Sequence, residues 1–161
     1  MVQNKEKLGI FFCPTVRATE ALASQIGRRL FSKDTVLLQG DLGTGKTTFA
    51  RALIRSIAVS EDDVRSPTFS VVQEYEVTQG RLLHCDFYRL QGEKEVYDIG
   101  VEEALGHKIV LVEWADRAPQ DFFPKGLLTI RFEVRPSGRL LFVSGVSSWR
   151  TRIESLALPG Y

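Results

Sequence analysis

Residues that usually hold metals or form crosslinks are scarce in this chain. It has two cysteines and two histidines among its 161 residues. Cys13 and Cys85 lie far apart and have no partner at the spacing of a zinc site, so neither a disulfide framework nor a structural metal site is indicated. The sequence predicts two reduced, semi-buried thiols.

Long apolar segments are also missing. No run approaches the roughly 20 apolar residues that a membrane-crossing helix needs, and the start of the chain lacks the apolar core and small-residue cleavage site of a signal peptide. The formal net charge of +1 gives no large field of one sign that would attract a nucleic acid or a membrane. We therefore expect a cytoplasmic protein without membrane contact, which meets RNA only through another subunit or a local patch.

The composition is that of an ordinary globular protein. Apolar residues make up 43% of the chain and charged residues 25%, both near the average for soluble domains. No fixed-period repeat, low-complexity segment or Pro/Ser-rich linker interrupts the sequence. A single domain over residues 1–161 is the prediction.

Hydrophobic patterning predicts alternating strands and helices. The predicted strands are 8–12, 35–39, 71–77, 82–86, 108–114, 128–134 and 139–143. The predicted helices are 16–30, 46–58, 93–105 and a short one from about residue 147, with Gly100 an unfavourable residue inside the third. The order predicts an α/β fold of three layers, with a mixed β-sheet flanked by helices and an antiparallel C-terminal hairpin.

One glycine-rich segment carries a chemical signature. Residues 40–47, GDLGTGKT, match G-x-x-x-x-G-K-[ST], the P-loop motif, between a predicted strand and a predicted amphipathic helix. Glycines let successive backbone N–H groups wrap around a phosphate, and the helix adds the positive end of its dipole. The predicted nucleotide-binding residues are Asp41, Leu42, Gly43, Thr44, Gly45, Lys46, Thr47 and Thr48.

Two carboxylates are candidates for metal binding or catalysis beside this loop. Within the motif, Lys46 is expected to reach the β- and γ-phosphates and Thr47 to ligate Mg²⁺. Glu113 and Asp86 each end a predicted apolar strand, as expected of residues that hold the metal or orient the attacking water. The predicted catalytic residues are Asp86, Glu113 and Lys46, and the predicted metal ligands are Thr47, Glu113 and Asp86. The sequence alone does not divide the roles of the two acids.

His84 lies two residues before Asp86 on the same predicted strand. Their side chains therefore share a face, because strand side chains alternate. Two interpretations remain open: a hydrogen-bonded pair that supports the site, or a partly buried histidine with a backbone partner. His107 precedes the next strand and is expected to be exposed.

The absence of characteristic motifs and insertions argues against several classes of nucleotide-binding protein. The chain has no D-x-x-G motif, and its only asparagine, Asn4, is not part of an N-K-x-D motif, so it is not a GTPase. A stand-alone kinase of a small metabolite is the alternative to an ATPase. The kinase hypothesis is weakened because no arginine-rich lid or substrate-binding insertion is visible. Arg150 and Arg152 lie close together, but they are in the tail.

Four short sequence motifs, read in order along the chain, are more specific than the glycine-rich segment alone. After the glycine-rich segment come S-P-T-F at 66–69, H-C-D-F-Y-R-L at 84–90 and V-E-W at 112–114. The chain resembles the bacterial TsaE family in these blocks, and the resemblance spans about residues 16–114 plus the C-terminal hairpin.

The resemblance implies a function that the residues alone do not. TsaE-like proteins are weak, Mg²⁺-dependent ATPases that bind a TsaD–TsaB complex, which transfers a threonylcarbamoyl group to the adenosine next to the anticodon of certain tRNAs. The cofactors implied are ATP and Mg²⁺, the partners are TsaD-like and TsaB-like proteins, and tRNA is reached through the complex.

The resemblance also suggests roles for individual residues. Glu113 looks like the metal-side carboxylate, and Asp86 looks like a catalytic or second metal-linked acid. Thr68 occupies a loop that could sense the γ-phosphate as a switch does. Two interpretations of Trp114 are open. It contacts the nucleotide or a partner protein, or it is an ordinary core aromatic.

Overall fold

The computed structural model describes residues 5–60, 64 and 71–157. Its strands are β1 Glu6–Cys13, β2 Thr35–Gln39, β3 Val72–Val77, β4 Gly80–Asp86, β5 Ile109–Glu113, β6 Leu128–Arg135 and β7 Gly138–Gly145. Its helices are α1 Val16–Arg28, α2 Lys46–Ile57, α3 Glu93–Asp98 and α4 Arg150–Glu154, with 3₁₀ turns at Val101–Glu103, Ala115–Arg117 and Ser147–Trp149. Every predicted strand is present, with bounds that differ by a few residues.

The strands form one sheet in the order β1-β7-β6-β2-β5-β4-β3. The central four, β6, β2, β5 and β4, run parallel, while β3 on one side and β7 and β1 on the other are antiparallel additions. Parallel strands end at the same edge of a sheet. Gln39, Glu113 and Asp86 therefore come together where β2, β5 and β4 finish.

Both faces of the sheet are covered, which confirms the predicted three-layer fold. On one face, α1 and α2 pack over Val36 and Leu38 of β2, and Trp149 near the C-terminus joins the same core. On the other face, α3 and the turns around it cover Leu37 and Val110. Strand β5 is buried along its whole length, as its nearly continuous apolar sequence predicts.

Helix α1 begins with a capping contact. The Thr15 hydroxyl accepts a hydrogen bond from the Ala18 N–H at 3.1 Å and so satisfies one of the unpaired donors of the first turn. Leu22, Ile26 and Leu30 are buried as the helical spacing predicts. Val16 differs: it is 63% exposed, because it opens the helix at the rim of a cleft instead of lying over the sheet.

The predicted helix over 93–105 is wrong as one continuous element. Helix α3 ends at Asp98, and a separate 3₁₀ turn covers Val101–Glu103. Gly100 lies between them with a φ of 76°, in the left-handed region that an α-helix does not use. The break still lets Val96 and Val101 bury their side chains in the same core.

Within the described residues, no helix combines the length and the apolar character that spanning a membrane requires. The longest helix, α1, has 13 residues.

The two cysteines are free and more deeply buried than predicted. Cys13 is 1% exposed and Cys85 is fully buried, each inside a different core cluster. Burial raises the pKa of the Cys85 thiol to about 12, with the nearby Asp86 carboxylate a smaller cause in the same direction. Burial also raises the pKa of Cys13, against a hydrogen bond with Thr19 that lowers it.

These pKa shifts predict thiols that do not react in the native state. The thiolate is the nucleophile, and a raised pKa keeps the thiol protonated at pH 8. Ellman's reagent at pH 8 should therefore titrate about zero thiols in the folded protein and both after unfolding in guanidinium chloride. Rapid modification of either cysteine in the folded protein would contradict the burial described here.

Candidate phosphate and metal site

The glycine-rich segment connects β2 to α2 and has a backbone that only glycine adopts easily. Gly40 has a φ of 144°, and a Cβ added there would lie 2.9 Å from the Phe132 carbonyl oxygen of β6. Gly43 and Gly45 have φ values of 78° and 105°, with open space where their side chains would be. The segment therefore packs closely against the sheet at its start and leaves room above its tip.

Helix α2 begins at this tip without a side-chain cap. Its N-cap residue is Gly45, and no side chain there accepts from the first turn, in contrast to Thr15 on α1. The first N–H groups of a helix have no partner inside the helix. Here they open on a cleft of about 240 Å³ that is lined by residues 42–48, Glu113 and Trp114. Uncapped N–H groups and the helix dipole suit this cleft to an anion.

Lys46 is 4% exposed, and its ammonium group is folded back onto its own loop. The Nζ atom donates to the carbonyl oxygens of Gly40 and Asp41, both at 2.6 Å, and to Thr44 Oγ1 at 3.3 Å. It also lies 4.3 Å from the centre of the Trp114 ring. Burial lowers the pKa of Lys46, while neighbouring carboxylates, Glu113 first, oppose that shift.

Glu113 ends β5 and joins the sheet to the start of α2. Its carboxyl group is buried, with the residue 1% exposed. Oε1 accepts a hydrogen bond from the Thr47 hydroxyl at 2.7 Å, and Oε2 lies 2.8 Å from Nε2 of His84. The structure thus brings together two of the predicted metal ligands, Thr47 and Glu113.

His84 takes neither of the two arrangements predicted for it. It is fully buried, and its partner is the Glu113 side chain instead of Asp86 or a backbone group. In the register of the parallel β4–β5 pair, His84 lies opposite Leu111 and Asp86 lies opposite Glu113, so the contact between His84 and Glu113 runs diagonally across the two strands.

Asp86 lies beside Glu113 in the register but outside the cleft around the loop. Its Oδ1 accepts the N–H of Tyr88 at 3.0 Å, and the side chain is half-buried. Burial raises the pKa of Asp86, the Tyr88 hydrogen bond lowers it, and the charge of Glu113 raises it further. The two predicted acids therefore have different environments: Glu113 contacts two side chains and is buried, whereas Asp86 accepts a backbone N–H and is half-buried.

Trp114 follows Glu113 in the left-handed conformation, with a φ of 58° that is uncommon outside glycine. One side of its ring faces the Lys46 ammonium, and the Tyr88 ring lies 4.9 Å away at a tilt of 47°. The residue lines the cleft and also packs against the second core cluster. The packing agrees with the core-aromatic interpretation, and the contact with a nucleotide or a partner stays a prediction.

Sequence reasoning missed a second cleft that adjoins the first. It measures about 270 Å³ and shares Gly43, Thr44, Gly45 and Thr48 with the first. Its other lining residues are Cys13, Pro14, Thr15, Val16, Thr19, Gly138 and Arg139. The Nε atom of Arg139 donates to the Thr44 carbonyl at 3.2 Å. These residues come from the β1–α1 junction and the β6–β7 hairpin, and no local motif marks them.

The residues present fit a magnesium ion that arrives with phosphate. In residues 5–60, 64 and 71–157, no group of three or more His, Cys, Asp and Glu side chains forms a complete cage. Mg²⁺ usually binds through one or two carboxylates together with substrate phosphates, which Glu113 and Thr47 can complement. Carboxylates of Glu113, Asp41, Asp86 and Asp116 all act on Lys46. This acidic surrounding would repel a bare polyphosphate and favours one that carries a divalent cation.

Thr68, the predicted switch residue, lies outside the described residues together with the rest of the S-P-T-F block.

Comparisons with known proteins agree with this geometry. Residues 13–140 match the family model of the threonylcarbamoyl adenosine biosynthesis protein TsaE. A tRNA threonylcarbamoyladenosine biosynthesis protein TsaE from Rickettsia felis is 36% identical over 123 residues, which cover 76% of this chain and 71% of that protein. The Aquifex aeolicus protein of the same name is 42% identical over 100 residues, covering 62% and 71%.

A solved structure extends the similarity to the fold. The crystal structure of Bacillus subtilis YdiB superposes with a TM-score of 0.64 at 25% identity, over 93% of this chain and 91% of that one. The family match spans the glycine-rich segment, both carboxylates and the start of the C-terminal hairpin. This chain therefore belongs to the TsaE family.

Proposed function

We propose that this chain is an ATP-binding accessory ATPase that supports formation of N6-threonylcarbamoyladenosine next to the anticodon of tRNA. It works in the cytoplasm with TsaD-like and TsaB-like proteins, which perform the transfer, and tRNA is reached through that complex. Family membership supports the pathway. The observation that carries the chemistry is the Thr47–Glu113 contact beside Lys46 at the uncapped start of α2.

The two adjoining clefts suggest how a nucleotide binds. Its phosphates would occupy the cleft at the start of α2, where free N–H groups and the helix dipole favour negative charge. The ribose and base would extend into the second cleft, past Thr15 and Arg139. Lys46 would exchange its contacts with the Gly40 and Asp41 carbonyls for phosphate oxygens, which are stronger acceptors for an ammonium group.

The hydrolytic roles follow from the different environments of the side chains. Mg²⁺, held by Thr47 and Glu113, would supply charge neutralisation on the phosphates. Lys46 adds a fixed positive charge at the same place. Asp86 is half-buried and takes no part in the Thr47–Glu113 contact, so it is the residue that we assign to orient the attacking water and to hold its proton at a carboxylate oxygen.

The position of the arginines favours slow turnover by the isolated chain. The cleft around residues 42–48 is lined by no arginine in the described part of the structure. Arg139 instead donates to the back of the loop at Thr44. An arginine that reaches the transferring phosphoryl group accelerates related reactions by about 10³–10⁵. A partner that supplies or reorients such a group would therefore raise turnover.

The alternative, a stand-alone kinase of a small metabolite, is not favoured. A kinase needs a site for its phosphate acceptor, and the family match points to tRNA modification instead. The two proposals differ in a simple way: a kinase would phosphorylate one metabolite with no other protein present.

Replacement of Lys46 tests the phosphate site. The Lys46→Ala variant should lose ATP binding by at least about tenfold and nearly all hydrolysis, because no other lysine of the described residues lines the cleft. Isothermal titration calorimetry and a phosphate-release assay measure the two effects. Lys94→Ala, which removes an exposed lysine on α3, serves as the control. Normal turnover in the Lys46 variant would contradict the proposed site.

Replacement of Asp86 tests the division of roles between the two acids. Asp86→Asn keeps an oxygen for the Tyr88 N–H but removes the charge, so ATP affinity should stay within about threefold while hydrolysis falls by about 10²–10⁴, the usual contribution of a general base. Asp98→Asn, on the exposed side of α3, is the matched control. Complete loss of nucleotide affinity in Asp86→Asn would assign Asp86 to metal binding.

The same variant makes a prediction on stability. Because burial raises the pKa of folded Asp86, ionising it at neutral pH lowers the free energy of unfolding. Asp86→Asn should therefore unfold at a higher denaturant concentration than the wild type at pH 7. The gain should shrink as the pH falls through the raised pKa of folded Asp86 towards the ordinary aspartate pKa of about 3.9, and it should be absent below that value. A gain that grows on acidification would reverse this account.

Partner dependence tests the function as a whole. Mg-ATP hydrolysis should be slow for the chain alone and should rise when the TsaD–TsaB pair from the same source is added. Gel filtration with ATP and Mg²⁺ should detect a complex in parallel. Unchanged turnover together with no detectable complex would exclude the accessory role and make a screen of metabolite acceptors the next experiment.

A further inference from the structure

We infer that His84 is a positioning residue, which holds the Glu113 carboxylate in the orientation that serves Thr47. The inference rests on the proposed Mg-ATP site and adds a residue to it. Glu113 and His84 are among the most buried polar groups of the described chain, at 1% and 0% exposure, and their side chains lie 2.8 Å apart.

A buried carboxylate needs donors, and Glu113 has one for each oxygen. The Thr47 hydroxyl serves Oε1, and His84 Nε2 serves Oε2. Glutamate has three rotatable side-chain bonds, so one contact alone does not fix the plane of its carboxyl group. The second contact, from the rigid strand β4, stops rotation about the last bond and keeps Oε1 aimed at Thr47.

His84 does not reach the phosphate cleft itself. It is absent from the residues that line the cleft, and its Nε2 is occupied by Glu113. The residue therefore acts through Glu113 and is not a metal ligand or a group that touches the nucleotide. Partners of this kind, which orient a ligating side chain, typically change metal affinity by about 10–100-fold when they are replaced.

The hydrogen bond requires a donor at the ε position of the ring. An ionised carboxylate only accepts, so the proton of the His84 ring must be on Nε2. Nδ1 is buried and has no hydrogen-bond partner among the described residues.

The need for a donor at the ε position gives different expectations for two conservative substitutions, His84→Gln and His84→Asn. The amide nitrogen of glutamine is as many bonds from the backbone as Nε2 of histidine, and the amide nitrogen of asparagine as many as Nδ1. His84→Gln can therefore replace the donor to Glu113, whereas His84→Asn is too short. His84→Leu keeps much of the volume and removes the donor altogether.

The test compares these three variants with the wild type and with His107→Gln, which alters the exposed second histidine. We expect His84→Asn and His84→Leu to raise the Mg²⁺ concentration for half-maximal hydrolysis by about tenfold or more. His84→Gln should restore it to within about threefold of wild type, and ATP binding without metal should be unchanged in all. Electron paramagnetic resonance of Mn²⁺ bound with a non-hydrolysable ATP analogue should rank the variants in the same order, independently of turnover.

A second measurement needs no metal or nucleotide. In the apo protein, ¹⁵N–¹H correlation spectra of the histidine rings should show His84 protonated at Nε2. The chain has two histidines, and the His107→Gln variant assigns the remaining signal. A His84 ring protonated at Nδ1 alone would overturn the inference, since Nε2 could not then donate to Glu113.

The outcomes distinguish this inference from the function on which it rests. Equal metal dependence in His84→Gln and His84→Asn would reject the positioning role even if the wild type binds Mg-ATP normally. A wild type that binds no Mg-nucleotide would reject the proposed function, and the apo spectra would still decide whether His84 donates to Glu113. If His84→Leu does not fold, the comparison of the two amide variants decides the question.

Discussion

The buried carboxylate of Glu113 is the contact around which the rest of the site is arranged. A charge removed from water is costly unless it is fully hydrogen-bonded, and removing one partner from such a group typically destabilises a protein by about 3–5 kcal/mol. Glu113 meets this requirement through Thr47 on α2 and His84 on β4. One side chain of β5 therefore links α2 to β4, which also pairs with β5 in the sheet.

Three departures from local structural rules face the same cleft. Helix α2 has no side-chain cap, while α1 has one. The pKa of Lys46 is lowered by burial, and Trp114 adopts a left-handed backbone conformation. Such exceptions cost free energy and persist where surrounding structure maintains them, which is typical of functional sites. The buried strand β5 and the helix α1 obey the ordinary rules of burial and capping.

The charges around the cleft indicate which kind of ligand would suit a protein with almost no net charge. Its carboxylates outnumber its lysine, so the metal and the phosphates are attractive only together. In the described part of the structure, no arginine of this chain lines the cleft. The proposed dependence on a partner would follow from where the positive charges are, and the family is named for threonylcarbamoyl adenosine biosynthesis.

The sequence by itself determined the elements and the chemical nature of the site. Apolar alternation, or a nearly continuous apolar run in β5, located every strand, because burial of one or both faces requires it. The spacing of glycines, Lys46 and Thr47 predicted a phosphate loop from local backbone needs alone. Strand periodicity also placed Glu113 and Asp86 at strand ends. The prediction of one helix over residues 93–105 was wrong. The left-handed backbone at Gly100 separates helix α3 from a 3₁₀ turn, although the spacing of their apolar residues resembles that of one helix.

Only the tertiary structure decided which side chains meet. Strand order is set by long-range pairing, and it brought β4 beside β5, so that His84 reached Glu113 instead of its neighbour Asp86. The same pairing carried the β6–β7 hairpin to the loop, where Arg139 contacts Thr44 across 95 positions of sequence. No local pattern encodes such contacts, because each depends on the register between strands that are distant along the chain.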